Sequence, residues 1–227
     1  MKRSTINSLV EQGRQFVLKH QFHLPPFASW SIETWRSECH CARHILDRKL
    51  GWDVTDFGSG EFDHFGLILF TLRNGMLADL SRGCGMVYAE KILIVAVGQV
   101  TPLHYHWVKT EDIVNCGGGV LAIKLHHADA SEGLASADIT FLSDGIEYTV
   151  PAGTIHRLNP GSSITLPAML YHSFWAEEEP VLAGEVSTVN DDENDNRFLE
   201  LTQRFSPIEE DEAIRVPLVS DYQSKLL

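Results

Sequence analysis

The stretch of sequence that decides the fold runs from Gly98 to Gly118 and reads GQVTPLHYHWVKTEDIVNCGG. It holds His104 and His106, two residues apart, followed by Glu111. Residues i and i+2 of a strand point to the same face, so both imidazoles project together, and the next turn brings Glu111 back towards them. Two ring nitrogens and a carboxylate suit Mn²⁺, Fe²⁺, Co²⁺, Ni²⁺ or Zn²⁺. The alternative is a pair of solvent-facing histidines on a strand.

Short apolar or alternating runs separated by Gly, Asn, Asp and Pro turns fill the chain from about residue 60. They are Leu67–Leu72, Val87–Val97, Val120–Leu125, Ile139–Leu142, Glu147–Val150, Ile164–Leu166, Leu170–Trp175 and Val181–Ser187. Closely spaced strands without helices between them are typical of a β-sandwich or a barrel. The sequence therefore predicts a mainly β architecture for this part of the chain.

The spacing of the opening stretch is G-x5-H-x-H-x4-E-x6-G, which matches the first sequence motif of the cupin family at every defined position. The chain thus resembles the cupins, which are double-stranded β-helix barrels. This resemblance implies the same barrel here and agrees with the predicted strands.

The N-terminal part of the chain has a different pattern. One helix is predicted after Ser4 as its N-cap and ends before Pro25, and a second follows Ser31 and stops at Gly51. We expect residues 1–55 to form a helical segment packed on the barrel. Residues 56–227 are expected to form the cupin barrel with an acidic C-terminal tail, and the two parts together make one functional domain.

Composition and charge exclude several classes of protein. The 227 residues are 44% hydrophobic and 22% charged, which is ordinary for a globular chain, and the net charge is −13. So acidic a chain is a poor candidate for binding nucleic acid or an anionic membrane surface, and it has no apolar run of membrane-spanning length. The four cysteines form no C-x-x-C pair, and the N-terminus has no signal-peptide core. We expect a reduced, cytoplasmic protein.

Two histidines compete for the second cupin motif, G-x5-P-x-G-x2-H-x3-N, whose histidine supplies the fourth ligand. His156 keeps every position except the final Asn, which comes one residue early, whereas His172 lacks both the second Gly and the Asn. Motif matching alone favours His156. We nevertheless predict His172, because it lies on a clear strand beside a run that carries Glu185 among apolar residues. A carboxylate buried in this way commonly accompanies a metal or catalytic site.

Five segments together resemble the D-lyxose isomerase family, which is built on a single cupin barrel. The segments are Leu50–Thr55, Tyr88–Ile92, Thr101–Trp107, Leu170–Trp175 and Gly184–Asp192. The resemblance covers nearly the whole chain. It implies a divalent metal, usually Mn²⁺, with Co²⁺, Zn²⁺ or Fe²⁺ as alternatives, held by His104, His106, Glu111 and His172. It also implies aldose–ketose isomerisation of unphosphorylated sugars, D-lyxose to D-xylulose and D-mannose to D-fructose, by enediol proton transfer.

Moving a carbonyl from C1 to C2 needs a polarised carbonyl and a base that carries a proton between the two carbons. Glu185 is the first choice for the base, with a structural ion pair to an arginine as the alternative. Lys109, inside the metal motif, is expected to stabilise negative charge on the sugar oxygens, unless it is a solvated turn lysine.

Further residues are predicted to bind the substrate. Lys91 shares the inward face of its strand and is expected to reach the sugar, although a salt-bridged core lysine has the same pattern. Asp191 and Asp192 are predicted to bind sugar hydroxyls, the alternative being a solvated acidic loop. Phe174 is predicted to stack on the sugar, although most aromatic residues simply pack the core.

Two other functions are compatible with the same ligands. Three histidines and a glutamate also hold Fe²⁺ in dioxygenases, and a barrel of this kind can bind a sugar without catalysis. A phosphosugar substrate is disfavoured because phosphate binding favours an arginine or lysine cluster. The expected partner is a monosaccharide, and we expect a homodimer. The sequence leaves the preferred sugar open.

Overall fold

A computed structural model describes residues 1–38, 40–200 and 202–226 of the chain. Within these ranges the helices are α1 (Arg3–Lys19), α2 (Ile32–Glu38), α3 (Arg43–Asp47) and α4 (Leu77–Arg82). The strands are β1 (Gly51–Thr55), β2 (Leu67–Asn74), β3 (Tyr88–Val95), β4 (Thr101–Tyr105), β5 (Glu111–His127), β6 (Ile139–Ser143), β7 (Ile146–Val150), β8 (Ile155–Leu158), β9 (Ser163–Leu166), β10 (Leu170–Thr188) and β11 (Arg197–Phe198). The predicted mainly β fold with an N-terminal helical segment is confirmed.

The N-terminal segment differs in detail from its prediction. Ser4 lies inside α1 instead of capping it, and both its amide and its hydroxyl donate to the Asp211 carboxylate. The predicted second helix is divided into α2 and α3. Residues 51–55, which the sequence assigned to the helical segment, form β1 and pair with β2. All five are buried, since the edge of the sheet is covered there. The division into a helical segment and a barrel otherwise stays a prediction.

Helix α1 packs on the outer face of the sheet. Its apolar residues Ile6 and Val10 join a buried cluster with Ile68, Phe70 and Ile94 from β2 and β3. An apolar stripe at helical spacing is what such a surface helix presents to the core. The helical segment therefore covers the barrel from outside, and the barrel interior is left to other side chains.

The sheet is organised around two long antiparallel strands, β5 and β10. Residues 170–177 of β10 pair with residues 120–127 of β5, and residues 181–187 of β10 pair with residues 111–118. The two halves have different neighbours, since β3 lies beside the C-terminal half of β10 and β4 beside its N-terminal half. The predicted runs Leu170–Trp175 and Val181–Ser187 are thus one strand.

Both long strands are irregular at the same level. In β5, Gly118 has φ of 100°, and a Cβ atom there would lie 2.0 Å from the Pro180 carbonyl oxygen, so only glycine fits. In β10, Phe174 and Ala176 lie in the barrel core, and so do Val181 and Ala183. Alternate residues of an unbroken strand face opposite sides, so the irregularity between residues 177 and 181 must reverse the alternation. Even-numbered residues face inward before it, and odd-numbered residues face inward after it.

Two other features bear on the sequence predictions. In the described ranges, no helix combines the length and the apolar character needed to cross a bilayer. Cys41, Cys84 and Cys116 are free thiols, whereas Cys39 lies outside the described residues.

Candidate metal centre and active site

Three histidines meet inside the barrel. His104 lies on β4 directly opposite His172 on β10, and His106 follows the end of β4. One ring nitrogen from each lies within 4.8 Å of the other two, and all three side chains are buried. The i, i+2 spacing of His104 and His106 therefore places both imidazoles on one side, as expected for a strand.

The rings are held in one tautomer by the backbone. Nδ1 of His104 donates to the Pro102 carbonyl at 2.8 Å, and Nδ1 of His172 donates to the Leu170 carbonyl at 3.0 Å. Nδ1 of His106 donates to the Asp195 carbonyl. Since a ligating imidazole usually donates its other N–H to such an acceptor, each Nε2 is left to bind a metal. Burial, with the charge of the neighbouring imidazoles, holds the pKa of His104 well below its usual value, so this ring stays neutral.

Glu111 connects the histidines to a buried lysine. Its Oε1 lies 3.0 Å from Nε2 of His172 and 3.6 Å from Nε2 of His106, and its Oε2 lies 2.6 Å from Nζ of Lys109. Burial alone would raise the pKa of Glu111, but Lys109 and His106 outweigh it and hold that pKa well below the usual range. The carboxylate therefore stays ionised beside the imidazoles.

Lys109 is buried, so it is not the solvated turn lysine of the alternative interpretation. Its Nζ donates to Oε1 of Glu185 at 2.9 Å as well as approaching Glu111. Burial would lower the pKa of Lys109, but the two carboxylates reverse the effect and raise it, so the side chain is a fixed ammonium donor.

Glu185 lies on the inward face of β10, opposite Lys91 on β3. Its Oε1 is 3.3 Å from Nζ of Lys91, and both side chains are buried. The partners of Glu185 are thus two lysines, where the alternative had an arginine. Nζ of Lys91 also donates to Oδ1 of Asn190 at 2.6 Å. Lys91 is a salt-bridged lysine that nevertheless lines the central cavity.

A second group of charged side chains, formed by Asp192, Arg204 and Asp53, adjoins Lys91. Asp192 lies 3.5 Å from Nζ of Lys91 and 3.4 Å from Arg204, and Arg204 is paired with buried Asp53 at 2.8 Å. Burial would raise the pKa of Asp192, but Lys91 and Arg204 hold it well below its usual value. The carboxylate is therefore ionised at the edge of the pocket.

The central cavity measures about 40 Å³. The predicted residues that line it are His104, His106, Lys109, Glu111, His172, Phe174, Glu185, Lys91 and Asp192. It shares Leu69 and Asp192 with a neighbouring cavity of about 290 Å³. Asp191 is not brought into the central cavity: it lines only the larger one, and its carboxylate accepts backbone amides of its own loop.

His156 lies apart from the three clustered histidines. It pairs with Ile123 on the β5–β8 side of the sheet, and its ring packs against Phe141 and Tyr148. The Ser143 hydroxyl donates to a backbone carbonyl, so the Nε2–H of His156 donates to Ser143 Oγ at 3.0 Å. The better motif match is thus a histidine held by strand side chains.

Three residues of this region were missed by sequence reasoning. Asp53 is a buried carboxylate in an apolar run. The same pattern identified Glu185, so Asp53 could have been predicted in the same way. Arg204 lies in the segment interpreted as an acidic tail, and nothing in its local sequence points inward. Asn190 was quoted in the family resemblance without a role.

The residues present fit a divalent cation. Three imidazoles, each with Nδ1 bonded to a backbone carbonyl, and an ionised carboxylate form a donor set suited to first-row metals. In the described part of the chain, this region also holds more carboxylates than cationic groups. The carboxylates are Asp53, Glu111, Glu185 and Asp192, against Lys91, Lys109 and Arg204. A cation beside Glu111 would compensate the excess of buried negative charge.

A double-stranded β-barrel with a buried histidine cluster, formed by β4, the residue that follows it and β10, defines a protein of the cupin class. L-ribose isomerase from Geodermatophilus obscurus has a similar structure, with a TM-score of 0.61 and 16% identity over 92% of this chain and 98% of that chain. L-ribose isomerase from Acinetobacter sp. DL28, in complex with L-ribose, also gives a TM-score of 0.61 at 15% identity, with the same coverage. At this identity the likeness shows the fold, and the predicted cupin barrel is confirmed.

A family model described as D-lyxose isomerase matches residues 1–222. The D-lyxose/D-mannose isomerase of Escherichia coli O157:H7 is 50% identical to this chain, covering 98% of it and 99% of the relative. The protein of the same name from Serratia proteamaculans is 48% identical, with 98% of each chain covered. The chain therefore belongs to the D-lyxose isomerase family, as the sequence predicted, and it is a sugar isomerase.

Proposed function

We propose that the protein interconverts D-lyxose with D-xylulose and D-mannose with D-fructose, using a divalent cation, with Mn²⁺ as the metal. The names of the two relatives support these substrates, given identities of 50% and 48% over nearly the full chain. The single observation that carries the mechanism is the contact of a histidine–glutamate cluster with a buried lysine–carboxylate pair.

His104, His106, His172 and Glu111 are the residues that would hold the cation. When bound there, a divalent cation would supply Lewis acidity, which makes the C–H next to the sugar carbonyl more acidic. The protein fixes the direction of the four donors through backbone carbonyls and Lys109.

Glu185 is proposed as the base. It takes the proton from C2 of the aldose and returns it to C1, and the hydroxyl proton on O2 moves to O1 as the carbonyl shifts. Burial excludes competing water, and Lys91 and Lys109 compensate the carboxylate charge while the substrate is bound. A positioned base of this kind contributes about 10²–10⁴-fold to the rate.

Lys109 is proposed to donate a hydrogen bond to the sugar oxygen on which negative charge develops. Its raised pKa keeps it protonated, and its position between Glu111 and Glu185 places a fixed positive charge beside both. A preorganised donor is worth more in such a buried site than in water.

The rest of the sugar is proposed to contact Lys91, Asp192 and Phe174. Asp191 would contact only a part of the sugar that extends into the larger cavity. A cavity of about 40 Å³ has room for roughly three water molecules, so a sugar binds only when the lining side chains part. Asp192 lines both cavities, and its contacts of 3.4–3.5 Å with Lys91 and Arg204 are longer than the 3.3 Å pair of Lys91 with Glu185.

Family membership supports an isomerase over an Fe²⁺ dioxygenase or a non-catalytic sugar-binding barrel. The homodimer and the cytoplasmic location stay predictions.

The experiment uses protein stripped with a chelator and reloaded with Mn²⁺, Co²⁺, Zn²⁺ or Fe²⁺. We expect no ketose from the stripped protein and conversion of D-lyxose and D-mannose after Mn²⁺ is added. Failure of every metal with both sugars would contradict the proposal. Oxygen consumption by the iron-loaded protein would favour the dioxygenase instead.

A further inference from the structure

Asp195, in the segment between β10 and β11, makes several contacts with the turn between β4 and β5. Its Oδ1 accepts the backbone N–H of Val108 at 3.0 Å, and its Oδ2 accepts the backbone N–H of Lys109 at 2.9 Å. Its own backbone carbonyl accepts Nδ1 of His106. One residue of a distant segment thus binds three groups beside the histidine cluster, the His106 ring and the backbone amides of residues 108 and 109.

We propose that Asp195 is a positioning residue that holds Lys109 in its catalytic place, an inference that rests on the proposed function. Asp195 lines neither cavity. It therefore acts through Lys109.

The carboxylate supplies what the turn lacks. Residues 107–110 lie between β4 and β5 and belong to neither strand, so no ladder pairs the amides of Val108 and Lys109. Backbone amides without a partner cost free energy, and an ionised acceptor gives stronger hydrogen bonds than a neutral one. The two oxygens bind successive amides, which fixes the direction of the Lys109 backbone.

That direction matters because Lys109 has two partners at short range. Its Nζ must lie 2.6 Å from Oε2 of Glu111 and 2.9 Å from Oε1 of Glu185 at once. A lysine in a turn is ordinarily solvated, whereas this one is buried. A displacement of about 1 Å in such a group costs about 100-fold in rate.

The carbonyl and the carboxylate of Asp195 have separable roles. The carbonyl that accepts the hydrogen bond from Nδ1 of His106 belongs to the backbone, so every substitution of the Asp195 side chain keeps it. In the described part of the chain, the hydrogen bonds that the carboxylate accepts come from the turn amides. Removing it is therefore expected to disturb Lys109 and leave metal binding in place.

The experiment compares Asp195→Ala and Asp195→Asn with wild type in the Mn²⁺-loaded full-length protein. The matched control is Asp144→Ala, because the Asp144 carboxylate also accepts a backbone N–H across a loop, that of Ser163 at 2.7 Å, on a part of the sheet that lines neither cavity. The readouts are kcat and KM for D-lyxose, the Mn²⁺ dissociation constant by calorimetry, and amide hydrogen exchange at residues 108 and 109.

We expect Asp195→Ala to lower kcat by about 10–100-fold, as for other residues that orient active-site groups. KM and Mn²⁺ affinity should stay near wild type, and exchange should become faster at residues 108 and 109. Asp195→Asn, which keeps one acceptor oxygen, should lose less, and Asp144→Ala should keep wild-type kcat.

Three results would overturn the inference: wild-type kcat in Asp195→Ala, unchanged exchange at both amides, or a loss of Mn²⁺ affinity that accounts for the loss of rate. If wild type itself produces no ketose, the proposed function fails. The exchange measurement still tests in that case whether Asp195 holds the turn.

Discussion

The ammonium group of Lys109 lies 2.9 Å from a carboxylate oxygen of Glu185, and both side chains are buried. The two residues are 76 positions apart and come from different structural elements, a turn and a long strand. The same ammonium group also contacts Glu111. Lys109 therefore connects the proposed base, Glu185, to the proposed metal centre.

Glu185→Gln is expected to lower kcat by about 10²–10⁴-fold, because the amide cannot take a proton from carbon. Mn²⁺ affinity should persist, since Glu185 is not one of the proposed ligands. The measurement is steady-state conversion of D-lyxose together with metal titration. The control is Glu177→Gln on the same strand, where the side chain pairs with Arg157 at the surface. Wild-type turnover in Glu185→Gln would remove Glu185 from the mechanism.

His172→Ala is expected to weaken Mn²⁺ binding more than about 100-fold, because loss of a ligand exceeds the 10–100-fold cost of losing an outer partner. His156→Ala should leave the affinity unchanged, since its Nε2–H is bonded to Ser143. Calorimetric titration of both metal-free variants decides between the two histidines. The assignment is wrong if His156→Ala weakens Mn²⁺ binding and His172→Ala leaves it unchanged.

Arg3→Ala is expected to lower the free energy of unfolding by about 3–5 kcal/mol. The Arg3 side chain is fully buried and binds both Asp221 and Glu210, so its removal leaves the buried Asp221 carboxylate without its cation. Urea denaturation measures the loss. Arg14→Ala is the control on the same helix, where an exposed pair with Glu11 is worth at most about 0.5 kcal/mol. Equal effects would show that Arg3 does not hold the two chain ends together.

The stability that Glu210 contributes should depend on pH. Its hydrogen bond to Arg3 lowers the pKa of Glu210 below 4.5, so the unfolded chain takes up the proton first as the pH falls. The stability advantage of wild type over Glu210→Gln should therefore be complete above about pH 4.5 and disappear at lower pH, as the folded-state group is protonated. Denaturation curves at several pH values test this. An advantage that stays constant down to pH 2–3 would contradict it.

Sequence reasoning located the histidine cluster because its signals are local. His104 and His106 are separated by one residue, and strand geometry alone puts them on one face. Glu185 was recognisable as a charge in an apolar run. His172 needed information beyond its motif, because the better motif match, His156, lies on another part of the sheet.

The sequence did not reveal what depends on long-range contacts. Arg204 reaches Asp53 and Asp192 from a segment with an acidic composition, and composition cannot show which side chain turns inward. The acidic residues after position 207 also make contacts that composition does not show, since Glu210 and Asp211 bind α1. β1 was assigned to the helical segment because a short strand buried on both faces has no alternating pattern.

The irregularity in β10 has a consequence for insertions and deletions. His172 and Glu185 are an odd number of positions apart along β10, yet both line the central cavity because the alternation reverses between them. Gain or loss of a single residue on the Glu185 side of this interruption would turn its carboxylate out of the barrel while His172 stayed in place. Natural length variation there should therefore be confined to even steps, and a one-residue indel is a minimal way to separate cation binding from turnover.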